Sequence, residues 1–461
     1  KSLTEIDFGE DMTTITDSMF QGCASLKSVV IPSCVKEIGK TAFYDCLTLS
    51  DVSIGENVTS IGSNVFVNTI AYRNGLYNHI YIIDKWVVGR EMDGGMGNEA
   101  VDMCTQEDFD SLQNKDIVGI CYGAFAGCAN LVTVSIPDTV KYICRQAFDR
   151  CPNITSVRLG RNTLTVGYGA FYICENLQFV LMNELLETID SYAFAYCYKL
   201  QSGGTAIPQT VTRIGTQAFY HSGIWDAQAF PQEELTDVGV FAAAEAKDGL
   251  IYLSDWLIGC DVNASGNVKI RDGIKAIADY AFAYCKKLSD IRLPASVKSI
   301  GTGAFYMCTA EEVPNGHLPS LSVNIPSGVT EIKDNTFAGS GIGKISIPDS
   351  VTKIGVEAFR SSINLSSVII PDSVTEIGSG AFTGCSSLNS VVLSKNIDII
   401  VSYLFKDCVS LGSIEIPEKV QSIEIGAFFH CDALKNVEFG DNVWGIGAYS
   451  FYMCGSLKSV D

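Results

Sequence analysis

Several features that would indicate chemistry are scarce or missing in this chain of 461 residues. There are only four histidines, and no C-x-x-C or H-x-x-x-H pair occurs, so a zinc site is not indicated. The sequence also lacks a G-x-x-x-x-G-K phosphate-binding loop, a G-x-G-x-x-G turn after a strand and a G-x-S-x-G nucleophile elbow. We therefore expect no enzyme, no catalytic residue, no cofactor and no metal.

Positive charge and long apolar runs are also in short supply. The chain has 32 Lys and Arg residues against 52 Asp and Glu residues, a formal net charge of −20. Such an acidic chain repels nucleic acid and anionic lipid, which argues against both as partners. No run of eighteen apolar residues is present, so we expect no direct membrane insertion of this chain.

What the sequence does have is a stride of phenylalanines. Sixteen of them recur along the chain, and ten of the fifteen intervals between them are 23 residues. A fixed period of 20 to 50 residues is typical of stacked repeat proteins. The members are Phe20, Phe43, Phe66, Phe125, Phe148, Phe171, Phe194, Phe219, Phe282, Phe305, Phe337, Phe359, Phe382, Phe405, Phe428 and Phe451.

Each unit predicts one short strand and one aromatic turn. In the unit from Leu26 to Cys46, the apolar Val29 and Ile31 alternate with polar neighbours, so they point inward while Ser28 points outward. A proline often ends the strand, since it has no N–H for the ladder. An Ile-Gly step then supplies a permissive backbone for a second bend, and Ala-Phe drives the ring into the core.

Most of the seventeen cysteines follow the same stride. Twelve lie three residues after a repeat phenylalanine, where other units carry Ser222, Ser340 and Ser362. We interpret them as buried free thiols that act as small fillers. A disulfide between Cys121 and Cys144, which replace the glycine of the Ile-Gly step in adjacent units, stays an alternative. Cys34, Cys104 and Cys260 fall outside this pattern.

The motif L-x-x-V-x-I-P-x-x-V-x-x-I-G-x-x-A-F-x-x-C resembles the BspA-like, or Treponema pallidum-type, leucine-rich repeats of bacterial and protozoan surface proteins. The resemblance covers nearly the whole chain. It implies an α/β-type repeat solenoid that is mostly β, curved and right-handed, with a parallel sheet on its concave side and irregular or short helical turns opposite. We expect a single solenoid of about 16 to 18 repeats over residues 1–461, with a cap or anchor beyond residue 461.

Two excursions interrupt the stride, at about residues 69–115 and 224–266, and a short insertion falls at 311–320. Both excursions read as β-hairpins, with turns at Asp84-Lys85 and Ser254-Asp255. Their aromatic residues either pack the hairpin onto the solenoid or form exposed anchors for a partner. These residues are Tyr81, Trp86, Tyr252 and Trp256.

The outward positions of the strands supply the other candidate partner-binding residues: Ser28, Val30, Asp51, Ser53, Thr133, Ser135, Arg158, Phe179 and Leu181. Phe179 and Leu181 are apolar where a polar residue is expected. They form an exposed patch beside Arg158, or a one-residue shift in register turns them inward.

These observations favour a non-enzymatic protein-binding or adhesion module, extracellular or on the cell surface and monomeric. Its expected partner is a protein or glycoprotein, and the resemblance suggests extracellular-matrix proteins or other cells. One alternative is a carbohydrate-binding module that uses the Tyr and Trp hairpins. Another is a structural spacer that presents a further module.

Overall fold

The computed structural model describes residues 2–92, 102–225, 249–308 and 320–460. Contacts divide the chain into two compact units, Lys1–Asp226 and Ala227–Asp461. Both units are stacks of short, mostly parallel β-strands, so the predicted mostly-β parallel solenoid is confirmed. The parts of the excursions at 93–101 and 226–248, and the short insertion expected at 311–320 apart from Ser320, lie outside the described residues.

Most repeats contribute two strands, where the sequence predicted one. The first strand is the expected one, and we call its stack the first ladder. It comprises Ser28–Ile31, Asp51–Ile54, Thr133–Ser135, Ser156–Arg158 and Phe179–Leu181 in the first unit. In the second unit it comprises Ser265–Lys269, Lys287–Arg292, Ser322–Val323, Ser367–Ile369, Ser390–Val392, Ser413–Glu415, Asn436–Glu438 and Ser459–Val460.

The second strand of each repeat lies just before the Gly step, and these strands form the second ladder. In the first unit they are Thr14–Ile15, Glu37–Ile38, Ser60–Ile61, Gly119–Ile120, Tyr142–Ile143, Thr165–Val166, Thr188–Ile189 and Arg213–Ile214. In the second unit they are Ala276–Ile277, Ser299–Ile300, Glu331–Ile332, Lys353–Ile354, Glu376–Ile377, Ile399–Ile400, Ser422–Ile423 and Gly445–Ile446. Two residues are too few to show an alternating pattern, which is why the sequence did not reveal this strand.

The first ladder has the predicted inward and outward faces. Val29 and Ile31 are buried while Ser28 and Val30 are exposed. After the strand, the carbonyl of Pro32 accepts a hydrogen bond from the N–H of Val35 at 3.1 Å, and seven later prolines make the same turn. Proline therefore both ends the strand and opens the turn to the second ladder.

The glycine of the Ile-Gly step has a different role from the one predicted. Gly39 and Gly62 do not have positive φ, but an added Cβ at either would overlap backbone atoms of the preceding turn. Close approach of successive turns, rather than a special bend, explains the glycine. The positive φ angles occur instead around the phenylalanine, for example at Thr41 and Asp45 on either side of Phe43.

The phenylalanine rings stack face to face along each part of the solenoid. Centroids of successive rings lie between 5.1 Å, as for Phe148 and Phe171, and 5.6 Å, as for Phe43 and Phe66. Phe305 and Phe337 also stack at 5.1 Å, although 32 residues separate them. The insertion between them therefore leaves the core regular.

All seventeen cysteines are free, and the thiols of the stride do more than fill space. The thiol of Cys174 donates a hydrogen bond to the carbonyl oxygen of Phe148 at 3.2 Å, and Cys385 does the same to Phe359 at 3.1 Å. The hydroxyl of Ser362 makes the equivalent bond to Phe337 at 2.8 Å. The position therefore requires a small side chain that donates, which explains why serine replaces cysteine there.

Few helices interrupt the described strands. Helix α1 spans Ile70–Asn74 and helix α2 spans Gln106–Asp110, followed by a 3-10 helix at Ser111–Asn114. A second 3-10 helix spans Ser202–Gly204. Over the residues described, none of the helices is long and apolar enough to cross a membrane.

Candidate binding surface

Each excursion contains the predicted hairpin, with its turn where the sequence indicated it. In the first, Ile80–Ile83 pairs antiparallel with Trp86–Arg90, and in the second, Leu250–Leu253 pairs antiparallel with Trp256–Cys260. A short strand, Leu76–Tyr77, pairs outside the first hairpin. The second strand of each hairpin pairs parallel with a strand of the second ladder, so each hairpin is part of the solenoid sheet.

The two hairpin tryptophans are buried, as the packing alternative predicts, so they are not exposed anchors for a partner. Trp86 is 2% exposed and Trp256 is 4% exposed. The ring of Trp86 lies over Gly119, where any Cβ would overlap it, and is nearly parallel to the ring of Tyr142. Trp256 pairs with Ala276 at the same rung, where a small residue again leaves room for an indole. Their role is to pack the hairpin onto the ladder.

The hairpin tyrosines are half-buried, and another side chain of the protein packs against each ring. Tyr81 stacks on Tyr72 with centroids 4.1 Å apart. The guanidinium of Arg271 lies 4.4 Å from the ring centroid of Tyr252. Neither hairpin, in its described strands, presents a fully exposed aromatic ring, so the exposed platform that the carbohydrate-binding alternative requires is not observed there.

The outward candidates of the first unit fall on two separate sheets. Ser28, Val30, Asp51 and Ser53 are exposed on a two-stranded sheet. Thr133, Ser135, Arg158, Phe179 and Leu181 lie together on a three-stranded sheet formed by Thr133–Ser135, Ser156–Arg158 and Phe179–Leu181.

Phe179 and Leu181 face outward, so of the two alternatives the exposed patch is observed and the register shift is not. Phe179 pairs with Ser156 and Leu181 pairs with Arg158 in regular parallel register. Phe179 is 40% exposed and Leu181 is 62% exposed, while Val180 between them is buried. The ring of Phe179 lies over Gly204, where an added Cβ would overlap it.

Side chains of the first excursion cover the Thr133–Ser135 edge of this sheet. The amide oxygen of Gln106 accepts the N–H groups of Val132 and Thr133, at 2.9 and 3.2 Å. Its amide nitrogen donates to the carbonyl of Thr133 at 2.8 Å, and that of Gln113 donates to Ser135 at 2.5 Å. The two glutamines thus replace the backbone of a missing strand.

The other edge of the sheet is covered by the segment that follows it. The hydroxyl of Thr205 accepts the N–H of Val180 at 3.2 Å, and the N–H of Gln201 donates to the carbonyl of Gln178 at 2.9 Å. The 3-10 helix Ser202–Gly204 here replaces the next strand of the ladder. The sheet is therefore three strands wide, and residues outside the ladder cap both of its edges through hydrogen bonds. We call these capped edges its walls.

This face forms a groove of about 350 Å³, which we call the walled groove. Its lining consists of Thr133, Val134, Ser135, Ser156, Val157, Arg158, Phe179, Leu181 and Gly204. Arg158 is the charged residue among them, and its Nη1 lies 3.0 Å from Oδ1 of Asp138. The groove thus combines two exposed apolar side chains, hydroxyl groups and one guanidinium.

A larger concavity, of about 650 Å³, lies on the second-ladder strands Thr14–Ile15, Glu37–Ile38 and Ser60–Ile61, beside Tyr122 and Arg145. The isoleucines that line it are buried, and its accessible side chains are hydroxyls and charges of both signs. It lacks the exposed apolar anchors that carry most binding energy in interfaces. The walled groove is the better candidate.

The geometry around His430 does not support catalysis by a cysteine. Its two imidazole nitrogens lie 2.8 Å from Asp407 and 3.4 Å from Asp432, and Asp407 raises the histidine pKa. The nearby Cys454 thiol donates to the carbonyl of Phe428 at 3.1 Å. Because carboxylates face both nitrogens, the imidazole has no free position from which to take a proton from the thiol.

Comparison with known proteins gives the family. The model for the BspA type leucine rich repeat region matches in six copies, over residues 1–87, 96–225, 260–320, 315–413 and 398–461. The chain belongs to this family. Its leucine-rich, BspA-like repeats, expected from the motif, are thereby confirmed. No curated protein matches the chain.

Similar solved structures come from several bacteria. A leucine rich cell surface protein from Faecalibacterium prausnitzii is 23% identical, with 97% of this chain and 82% of that chain covered and a TM-score of 0.30. The T. pallidum leucine rich repeat protein is 26% identical over 44% of this chain and 83% of its own, with a TM-score of 0.31. The pneumococcal vaccine antigen PcpA is 18% identical, with 72% and 81% covered and a TM-score of 0.29.

The walls of the groove are the part that sequence reasoning missed. Two signals pointed to them. The interval from Phe194 to Phe219 is 25 residues, two more than the stride, and the extra length accommodates the segment around Gly204. In addition, Thr105 and Asp108 have the spacing of a helix capping box, and that helix carries Gln106.

Proposed function

We propose that this chain is a non-enzymatic recognition module of the cell surface or the extracellular space, and that it binds a protein or glycoprotein in the walled groove. The observation that carries the proposal is the pair Phe179 and Leu181, exposed side by side on a sheet face that is closed at both edges. Membership of a repeat family known from surface proteins supports the location.

Exposed apolar side chains on a strand face lower solubility. The outward positions of the first ladder are usually polar, so an apolar pair there is unusual. Interfaces concentrate their binding energy in a few aromatic and other large side chains at the centre of a patch, with near-neutral contacts around them. The walled groove has this arrangement, since Phe179, Leu181 and Arg158 lie beside Thr133, Ser135 and Ser156. A spacer has no need for such a patch.

The second unit provides a matched surface for the experiment. Ile369 and Val392 are paired neighbours on the outer face of its first ladder and are 66% and 53% exposed. Among the described residues, no side chain caps the backbone of their two strands as Gln106 caps Thr133. The double variants Phe179→Ser/Leu181→Ser and Ile369→Ser/Val392→Ser therefore remove similar apolar area from two sites.

The full chain and both variants are tested for binding to an array of immobilised extracellular-matrix glycoproteins and to a glycan array. We expect binding to at least one glycoprotein, a loss of at least tenfold for the variant in the first unit, and little change for the variant in the second. Circular dichroism checks that both variants are folded. Binding to neither array, or equal losses in both variants, contradicts the proposal.

A further inference from the structure

The closed edges of the walled groove restrict how a partner can bind. A peptide often adds itself as a further strand at a sheet edge, where unpaired N–H and C=O groups are available. Here Gln106 and Gln113 occupy one edge, and Gln201 and Thr205 occupy the other. Recognition must therefore use the side chains on the face of the sheet.

Charge on this face has one sign. Among the residues that line the groove, Arg158 alone is charged. It shares Asp138 with Arg161, whose Nε lies 3.3 Å from the second carboxylate oxygen. The hydrogen bond from Arg158 and the N–H of Arg161 lower the pKa of Asp138, which stays ionised. Two guanidiniums and one carboxylate leave one net positive charge at this end of the groove.

That local charge is opposite to the charge of the chain as a whole. The formal net charge is −20, but at physiological salt the field of a distant exposed charge is screened beyond about 8 Å. A group bound beside Leu181 is therefore closest to Arg158 and Arg161, whereas Asp110, which accepts a hydrogen bond from Gln106 at 3.0 Å, lies at the Thr133 edge. Arginine suits a carboxylate because its planar group can donate two parallel hydrogen bonds to the two oxygens.

We propose that the walled groove recognises a protein segment that presents an apolar side chain and, next to it, an aspartate or glutamate. This inference rests on the proposed function and names the chemistry of its partner. The apolar side chain packs on Phe179 and Leu181, and the carboxylate pairs with Arg158 and Arg161. Leu181 and Arg158 are directly paired across neighbouring strands, so the two parts of the segment need be only about 5 Å apart.

The apolar pair of the second unit has different neighbours. The next two strands carry Glu415 and Glu438 at the outward position that follows Ile369 and Val392. An acidic segment is repelled there, so this face is the matched negative control.

The test uses the full chain and two series of fluorescent decapeptides, with a leucine or phenylalanine one to three residues from a glutamate or, in the second series, a lysine. Fluorescence anisotropy measures their affinities. We expect the best glutamate peptides to bind at least tenfold more tightly than their lysine counterparts. Arg158→Gln is expected to remove most of this difference, and Phe179→Ser to weaken both series. Ile369→Ser is expected to change neither.

Three outcomes overturn the inference. They are equal affinity of the two series, absence of binding by both, and a preference for glutamate that remains in the double variant Arg158→Gln/Arg161→Gln. Failure of the inference is distinguishable from failure of the proposed function. Suppose that a glycoprotein binds on the array, that the Phe179→Ser/Leu181→Ser variant no longer binds it, and that Arg158→Gln still does. The groove is then the binding site, but the preference for an acidic segment is wrong. If none of the groove variants has an effect, both are wrong.

Discussion

The two excursions start alike and end differently. Each inserts a hairpin with a bulge at the same place, each sends its second strand into the second ladder, and each pairs a tryptophan with a small residue at the next rung. After the hairpin, the first excursion forms helix α2, whereas the second forms the strand Ser265–Lys269, which pairs parallel with Lys287–Arg292.

This difference decides where a binding surface can form. In the second excursion the backbone of Ser265–Lys269 continues the first ladder. In the first excursion, side chains of α2 and of the following 3-10 helix terminate it, because Gln106 and Gln113 take the hydrogen bonds of a strand. Asp84 in the hairpin turn likewise accepts the N–H of Ile54 at the edge of the preceding sheet, at 2.9 Å. The first excursion therefore isolates the sheet that carries Phe179 and Leu181.

The shared part of the two hairpins predicts the largest effect. Trp86→Ala and Trp256→Ala each remove a fully buried indole, and we expect each to lower the free energy of unfolding by about 3–5 kcal/mol. Trp444→Ala is the control, since Trp444 is largely exposed. Thermal and urea unfolding followed by circular dichroism measure the change. A loss no greater than that of the control contradicts the packing role.

A smaller effect on stability distinguishes the residues that the two indoles pack against, Gly119 and Ala276. Gly119→Ala introduces a Cβ that overlaps the ring of Trp86, so we expect a loss of about 1–3 kcal/mol from strain. Ala276 already carries a Cβ at the equivalent rung under Trp256, and Ala276→Gly is expected to cost about 1 kcal/mol or less. Equal tolerance of both changes in urea unfolding would show that Trp86 does not need the glycine.

The variant Gln106→Ala tests whether this glutamine caps the edge of the first ladder. The change frees the N–H groups of Val132 and Thr133, and we expect a loss of about 1 kcal/mol with faster hydrogen exchange at those two amides. Asn267→Ala is the control in the second excursion, where the strand pairs through its own backbone. Unchanged exchange at Val132 and Thr133 is the outcome that rules out the glutamine as an edge cover.

The smallest effect concerns the acid sensitivity of helix α2 in the first excursion. Burial tends to raise the pKa of Asp108, but hydrogen bonds from Thr105 and His79 outweigh it and lower the pKa below its ordinary value. The resulting stabilisation is present above the unfolded-state pKa, near 4, and is lost as the pH falls through the lower folded-state pKa.

We therefore expect Asp108→Asn to lower the thermal midpoint at pH 7 and to lower it less at pH 3. The midpoint difference between the natural chain and the variant is the quantity to compare, because other carboxylates also titrate. A difference that does not depend on pH would mean that the charge of Asp108 does not stabilise the helix.

The sequence predicted the features that repeat and could not predict contacts that occur at a single place. The stride of Phe148 and Phe171 and the inward Val29 follow from a repeated pattern, so many units support each inference. The orientation of Phe179 stayed open, because its unit departs from that pattern. The burial of Trp86 depends on Gly119, 33 residues later, and the cover of the sheet edge depends on Gln106 meeting Thr133. Such contacts between distant residues occur once and leave no periodic signal.

The role of the cysteines lies between these cases. Their period predicted burial, and the structure buries ten of the twelve, with Cys23 and Cys454 half-buried. Their hydrogen bonds to a carbonyl of the preceding repeat could have been inferred only from the serines at the same position. Cys104 and Cys260 fall outside the stride, and their thiols interact with those of Cys128 and Cys285, which belong to it. Each excursion therefore places one cysteine beside the cysteines of the stride.

The proposed partner binds the walled groove of the first unit rather than the unwalled apolar pair of the second. The direct test places a photoreactive amino acid at Leu181 or at Ile369 of the full chain and irradiates each in complex with a glycoprotein bound on the array. We predict a cross-link from Leu181 and none from Ile369. A cross-link from Ile369 alone would contradict the account.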